Sequence, residues 1–303
     1  MIQVRRLGHV TYSTPNLKRQ VEYYVQVVGL RVTGEEKNRV ILSTRLGDEA
    51  VIFEQGADTG CLGLTFQVAP DVDLADIAKA ITAFGGKPER RTNVTEGIAD
   101  SVVFQDPFGT KTELFATAKD FGFAPVTGIG PYKVGHVAYV VPDAKVLTDY
   151  YIENLGFRIS DWMEDFFSFL RCNPDHHAVN FITHEGEPKL HHLAFETRDW
   201  AHIEHACDVL GEHKRKIIWG PIRHGIGHNI VVYHRDPDDN IVEFYAELDQ
   251  MKDEALGYFD PRPWHGSRPQ RPRTWPADQA ALLWGTPPTP DFLRGGTREK
   301  LAD

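Results

Sequence analysis

Cysteine is scarce in this chain. Cys61, Cys172 and Cys207 are all there is, too few and too scattered for a disulfide framework or a cysteine-rich zinc site. A reducing compartment, the cytoplasm, is the expectation. No apolar run approaches the length of a membrane span. The opening segment, Met1-Ile2-Gln3-Val4-Arg5-Arg6, lacks the apolar stretch of a secretory signal. Positive charge is not in excess: 33 Lys and Arg stand against 43 Asp and Glu, a net charge of -10. That balance argues against nucleic acid or an anionic membrane as the main partner. Histidine is nearly missing from the first half. Of 14 histidines, His9 alone precedes residue 130.

That uneven distribution matters because the two halves are copies of one another. Gly8-His9-Val10-Thr11-Tyr12 returns as Gly135-His136-Val137-Ala138-Tyr139. Without a gap, Pro15, Lys18, Tyr23-Tyr24, Gly29 and Arg31 meet Pro142, Lys145, Tyr150-Tyr151, Gly156 and Arg158. Ten of 24 aligned positions are identical. Further on, Leu62-Gly63-Leu64-Thr65-Phe66 corresponds to His191-His192-Leu193-Ala194-Phe195. Asp106-Pro107 leads to Glu113 as Asp236-Pro237 leads to Glu243, with a spacing of seven in both. A chain of 303 residues has room for two domains, each with its own core. A fold duplicated in sequence but rich in histidine on one side predicts a metal or acid/base site in the second copy alone.

Each half divides into two units of about fifty residues. A unit opens with a short apolar strand, such as 137–141 or 193–196. A helix follows: Leu17, Val21, Tyr24 and Val28 fall at helical spacing, as do Ile77, Ile81 and Phe84 before the stop at Gly85-Gly86. Short β-rich runs come next, at 40–42, 51–53, 102–104, 230–233 and 241–245. The Asp-Pro pairs are turn signals. The expected fold is α+β: two domains, residues 1–120 and 130–248, built from four βαβββ modules. Residues 249–303 differ in composition, with eight of the 19 prolines and Trp264, Trp275 and Trp284. This tail reads as a surface wrap anchored by its tryptophans, with a lid over a substrate opening as the functional alternative.

His136, His192 and Glu243 stand at the first strand of the third module and the first and last strands of the fourth. Two imidazoles and one carboxylate on one metal face leave neighbouring positions open, the facial-triad pattern of non-haem iron oxygenases. A lone strand histidine is more often structural, and His9 shows that the Gly-His-Val motif recurs where the rest is missing. The first half has Gly63 where the second has His192, so it reads as scaffold. Strand alternation predicts that His191 and His192 point to opposite faces, with His191 a packing residue or a neighbour of the ligand. Two further clusters are rich in histidine. One is the shaped loop Gly220-Pro221-Ile222-Arg223-His224-Gly225-Ile226-Gly227-His228-Asn229, ahead of Tyr233. The other is Asp175-His176-His177 on an Asn173-Pro174 turn.

Over about residues 5–248 the sequence resembles the type I extradiol ring-cleaving dioxygenases of the vicinal oxygen chelate superfamily. The resemblance is most specific in residues 220–245. There the family pattern sets a His, a Tyr nine residues on and a ligand Glu ten further, as His224, Tyr233 and Glu243 do. His177 lies fifteen residues before His192, again the family's spacing. The resemblance implies that His136, His192 and Glu243 bind iron(II), or manganese(II) in some relatives, and that His177 is the acid/base. It implies that His224 and Tyr233 bind substrate and oxygen intermediates, and gives His228 a supporting place there. The implied reactants are a catechol and dioxygen, and the implied assembly is a homo-oligomer. Trp219 stands where relatives that take acid-bearing catechols have Arg, which favours an apolar ring substituent. An acid substrate would instead need a tail arginine, such as Arg268, Arg271 or Arg273. Two alternatives stay open: a metal-dependent isomerase or epimerase of the same superfamily, and a non-catalytic module that binds aromatic compounds.

Overall fold

The computed structural model describes residues 2–260 and 270–293. Its first half forms an eight-stranded sheet from β1 (Val4–Thr14), β2 (Arg31–Glu36), β3 (Arg39–Ser43), β4 (Glu49–Gln55), β5 (Gly60–Val68), β6 (Glu89–Thr95), β7 (Ile98–Gln105) and β8 (Lys111–Phe115). The order is β2-β3-β4-β1-β5-β8-β7-β6. The second half repeats the pattern with β9 (Lys133–Val141), β10 (Arg158–Met163), β11 (Phe167–Arg171), β12 (Val179–Thr183), β13 (Lys189–Glu196), β14 (Ile217–Arg223), β15 (Ile230–Arg235) and β16 (Ile241–Ala246). Its order is β14-β15-β16-β13-β9-β12-β11-β10, and a short tail strand, β17 (Arg273–Trp275), joins the edge beside β10. Each module contributes one helix after its first strand: α1 (Leu17–Tyr23), α2 (Leu74–Ala83), α3 (Ala144–Leu155) and α4 (Trp200–Glu212). The result is four βαβββ modules in an α+β fold.

Local chemistry explains where the helices begin. Asn16, Asp73, Asp143 and Asp199 each accept a backbone N–H of the following first turn, which satisfies donors that lack an intrahelical partner. The Asp-Pro turns work in a similar way. Asp106 Oδ1 accepts the N–H groups of Phe108 and Thr110, and Asp236 Oδ1 those of Asp238 and Asn240. Each turn therefore delivers the last strand of its half, β8 or β16, in a fixed register.

The core is not divided between the halves. One connected cluster runs from Tyr12 and Phe53 through Phe66 to Tyr151, Phe157 and Phe181. Phe66 meets Phe157 and Tyr151 edge-on at 5.7 and 6.2 Å. A polar seam adds to it: Gln20 Nε2 donates to Asp236 Oδ2 at 2.8 Å, and the Tyr23 hydroxyl bonds His234 Nε2. The expectation of a separate core for each half therefore gives way to a shared one. The duplicated aromatic and aliphatic positions that close each half also face the other copy.

Candidate metal centre and its cavity

The site is built where three adjacent central strands of the second sheet meet. His136 is on β9, His192 on β13, and Glu243 on β16. All three are buried, and one ligand atom from each lies within 4.8 Å of the others. The Nε2 atoms of His136 and His192 each stand 3.2 Å from Glu243 Oε2. The opposite oxygen, Oε1, accepts from Asn229 Nδ2 at 3.2 Å. Two imidazole nitrogens aimed at one carboxylate oxygen, with that carboxylate held from behind, are a donor set suited to a divalent metal such as iron(II) or manganese(II). His192 Nε2 makes no hydrogen bond although it is buried, which also fits a nitrogen reserved for a cation. Burial, followed by the neighbouring imidazoles of His191, His136 and His224, holds His192 well below the usual imidazole range. It is therefore neutral, as a ligand must be.

Two backbone irregularities place these side chains. Gly135 leaves no room for a Cβ, which would fall 1.8 Å from the Tyr245 hydroxyl. The β13–β9 pairing slips beside it, between Ala194 and Phe195. A second bulge lies between Leu190 and His192 in the same pairing. It overturns the expectation that His191 and His192 face opposite ways. An extra residue in a strand breaks the two-residue alternation, and both rings line one cavity with their Nδ1 atoms 2.8 Å apart. His191 thus satisfies the second nitrogen of His192, the role an outer partner plays for a metal-ligating histidine.

The cavity has a volume of about 640 Å³. Its walls are mainly apolar: Val140 and Ile182 from the sheet, Met163, Phe166, Phe167 and Phe169 from β10, β11 and their turn, and Trp219 and Ile226. The tail supplies Ala280, Ala281, Pro288, Phe292 and Leu293. It docks through its backbone, with Gly225 and Ile226 donating to the Ala280 carbonyl at 2.9 Å. Gly225 is required there, because a Cβ would meet the Gln279 carbonyl at 1.7 Å. Trp275 is buried, whereas Trp284 is exposed; Trp264 and Arg268 lie outside the described residues. Arg271 bonds the carbonyls of Leu256 and Gly257, and Arg273 lies over Trp275. Neither lines the cavity; Lys189 does.

The remaining polar residues expected from the sequence fall on either side of the ligands. His177 packs edge-on to His136 with ring centroids 4.3 Å apart. Burial, then the surrounding imidazoles, pushes it well below the ordinary imidazole value, so the ring is neutral. His224 Nδ1 donates to the Ala281 carbonyl at 2.6 Å, and its Nε2 stands 2.9 Å from the Tyr233 hydroxyl. Since burial lowers the His224 pKa, its Nε2 is bare and accepts the Tyr233 O–H. Trp219 stacks on Tyr233 at 5.5 Å and donates Nε1–H to the Thr286 carbonyl. His228 does not join them. Its ring turns to Asp249, with Nδ1 2.6 Å from Oδ2, and the neighbouring Asn229 takes its place at the cavity. Its backbone lies in the left-handed region, a conformation a spacing argument cannot foresee. Sequence reasoning also passed over Asn180, Phe167 and Phe169. The alternation of β11 could have pointed to the two phenylalanines.

In sequence and in fold the chain is similar to several known proteins. Residues 133–244 match the model of the Glyoxalase/Bleomycin resistance protein/Dioxygenase superfamily. The chain is 25% identical over 264 residues to metapyrocatechase of Pseudomonas sp. (strain CF600), covering 80% of this chain and 86% of that protein. Homoprotocatechuate 2,3-dioxygenase from Arthrobacter globiformis superposes with a TM-score of 0.78 at 26% identity, over 96% of this chain and 90% of that one. The Mn(II)-bound glyoxalase from Novosphingobium aromaticivorans gives a TM-score of 0.84 at 22% identity, over 96% and 94% of the two chains. That last likeness carries the fold alone.

Proposed function

We propose that this chain, whose residues 133–244 match the Glyoxalase/Bleomycin resistance protein/Dioxygenase superfamily, catalyses extradiol cleavage of a catechol by dioxygen. The observation that carries it is the convergence of two imidazoles and a carboxylate beside His177 and the His224–Tyr233 pair, on one wall of an apolar cavity. His136, His192 and Glu243 would hold iron(II), or manganese(II). The metal would acidify the catechol hydroxyls and give electrons a path from the ring to dioxygen.

The protein's own residues would do the rest. His177, neutral and beside His136, would take a proton from the substrate hydroxyl and return it as the oxygen–oxygen bond breaks. Tyr233, kept as O–H because burial pushes its pKa well above the usual value, would donate a hydrogen bond to an oxygen of the substrate. His224 would orient that phenol by accepting from it when substrate is absent. Asn229 would hold Glu243 so that one oxygen faces the metal. The aromatic walls would exclude water and grip the ring by its faces and edges.

The substrate we favour is a catechol with an apolar substituent, aryl or alkyl. Trp219, Phe292 and Phe167 offer no partner to a carboxylate, and leaving one unpaired costs several kcal/mol. No helix of the described residues is long and apolar enough to cross a membrane. We place the enzyme in the cytoplasm as a homo-oligomer, which light scattering on the purified chain would test. The deciding experiment for function is anaerobic loading with iron(II), then addition of 3-methylcatechol or 3-phenylcatechol in air. Oxygen uptake with a yellow ring-opened product is expected. No uptake, with binding alone, would mark an aromatic-binding module. Oxygen-independent rearrangement of another substrate would mark an isomerase.

A further inference from the structure

Behind His177, away from the ligands, lies a buried hydrogen-bond chain that neither metal binding nor the apolar cavity explains. Asp161 on β10 is buried. Its Oδ1 accepts the backbone N–H of Arg273 from the tail strand β17 at 2.7 Å, and its Oδ2 stands 3.0 Å from His176 Nε2. His176 Nδ1 in turn stands 3.0 Å from His177 Nδ1. The His176 ring is fixed on its other sides. Its backbone N–H donates to the Asp249 carbonyl, and Phe259, also from the tail, packs on it with centroids 4.7 Å apart. A buried carboxylate and imidazole so placed would be costly without a role that keeps them paired.

With one hydrogen on each imidazole, the chain has one direction. A carboxylate only accepts, so His176 Nε2 carries a hydrogen. In a neutral His176 the Nδ1 is then bare, and its neighbour His177 Nδ1 must donate to it. This leaves Nε2 of His177 without a hydrogen, as the ring's free basic nitrogen. We propose that Asp161 and His176 are positioning residues: they fix the tautomer and orientation of His177 so that its bare Nε2 serves the reaction. The assignment of His177 as acid/base rests on the function proposed above; the hydrogen-bond chain itself does not. It also gives the tail a part in the chemistry beyond its wall, because the Arg273 N–H and the Phe259 ring hold the two residues that hold His177.

Asp161→Asn tests this sharply. The Arg273 N–H needs an acceptor, so the amide oxygen stays on that side and the NH2 turns to His176. His176 must then bare its Nε2 and donate from Nδ1, which forces the hydrogen of His177 onto Nε2. In histidine-labelled protein, nitrogen-15 NMR should find His177 with Nδ1–H in the native chain and Nε2–H in the variant. In the iron-loaded enzyme, kcat should fall at least roughly tenfold, with metal content and KM for catechol kept within about twofold, since a wrong tautomer disables a base without removing binding. His176→Phe keeps a flat ring against Phe259 but removes the relay, and should lower kcat in the same way if Asp161→Asn does not fold. An unchanged His177 tautomer in Asp161→Asn overturns the proposal. So does a parallel loss of kcat, KM, metal and melting temperature in both variants. A native chain that cleaves no catechol would sink the proposed function instead, while the NMR result would still judge the hydrogen-bond chain.

Discussion

The same strand positions carry a candidate metal site in one half of the molecule and a plain polar contact in the other. Ala194 pairs with Glu243 across β13 and β16, and Thr65 pairs with Glu113 across β5 and β8. The bulge that brings His191 beside His192 has its counterpart at Leu62, between Gly63 and Cys61 in the β1–β5 pairing. What differs is the side chains. Gly63 replaces His192, Leu62 replaces His191, and Val103 sits opposite Glu113 where Tyr233 sits opposite Glu243. Thr65 then fills the place of Ala194, and its hydroxyl stands 3.1 Å from His9 Nε2, the nitrogen that corresponds to the ligand atom of His136. A duplicated backbone is thus able to hold a site or not. A handful of substitutions on three strands decides which, and the bulges and turns are common to both copies.

The widest gap between the halves should appear when the second loses its missing counterpart. His192→Ala makes β13 resemble β5. We expect bound iron to fall to a small fraction of the native content and ring cleavage to become undetectable, because two ligands bind weakly and orient poorly. Metal analysis alongside oxygen uptake checks it; near-native iron in the variant would show that His192 is not a ligand. A smaller effect is expected from His177→Asn. The metal stays, catechol still binds, and turnover drops roughly 10²–10⁴-fold, the range for a lost acid/base. Unchanged turnover would move the proton to another group, with His224 the nearest candidate in role.

The parts legible in the sequence were those repeated in it. The Gly-His-Val motif, the Asp-Pro turns and the spacing to Glu113 and Glu243 place the modules and the three candidate ligands from the sequence alone. The bulge at His191 was hidden because an extra residue in a strand leaves no mark in a pattern of two polar residues side by side. His228 was misleading for a related reason: its left-handed backbone turns the ring to Asp249 and hands the cavity to Asn229. The tail was harder still. Phe292, Leu293 and Ala281 reach the cavity through loops whose path depends on tertiary docking at Gly225 and Ile226, not on local periodicity. Asp161, distant in sequence from every histidine cluster, carried no signal at all.

Substrate choice offers a milder test of what the second half acquired. Trp219→Arg places a cation where acid-taking relatives have one. The ratio of kcat/KM for homoprotocatechuate to that for 3-methylcatechol should rise by about tenfold or more, equivalent to roughly 1.4 kcal/mol of discrimination. Part of that change is lost apolar packing against Tyr233 and Phe292. A native enzyme that already prefers the acid would contradict the apolar assignment and direct attention to Lys189, the lysine that lines the cavity.

The smallest effect is reserved for the first half. His9→Gln should leave metal content and ring cleavage as they are, since His9 lies outside the cavity and bonds Thr65. Its signature is in stability against pH. His9 is buried, and desolvation, then the charges of Arg39, Arg6 and Lys111, lowers its pKa to about 3; an imidazole in the unfolded chain titrates near 6.5. Between those values the unfolded state binds a proton that the folded state refuses. Stability is therefore full above about pH 6.5 and falls as pH drops toward 3, by about 1.4 kcal/mol per pH unit for one such group. His234 is lowered to about 3 by the same cause and adds in the same direction. His9→Gln should remove one proton from that slope, at a constant cost near neutral pH of about 1–3 kcal/mol for the disturbed buried pair. Urea unfolding at pH 7, 6 and 5 would measure both quantities. A slope equal to that of the native chain would mean that His9 takes up its proton as readily in the folded state as in the unfolded one.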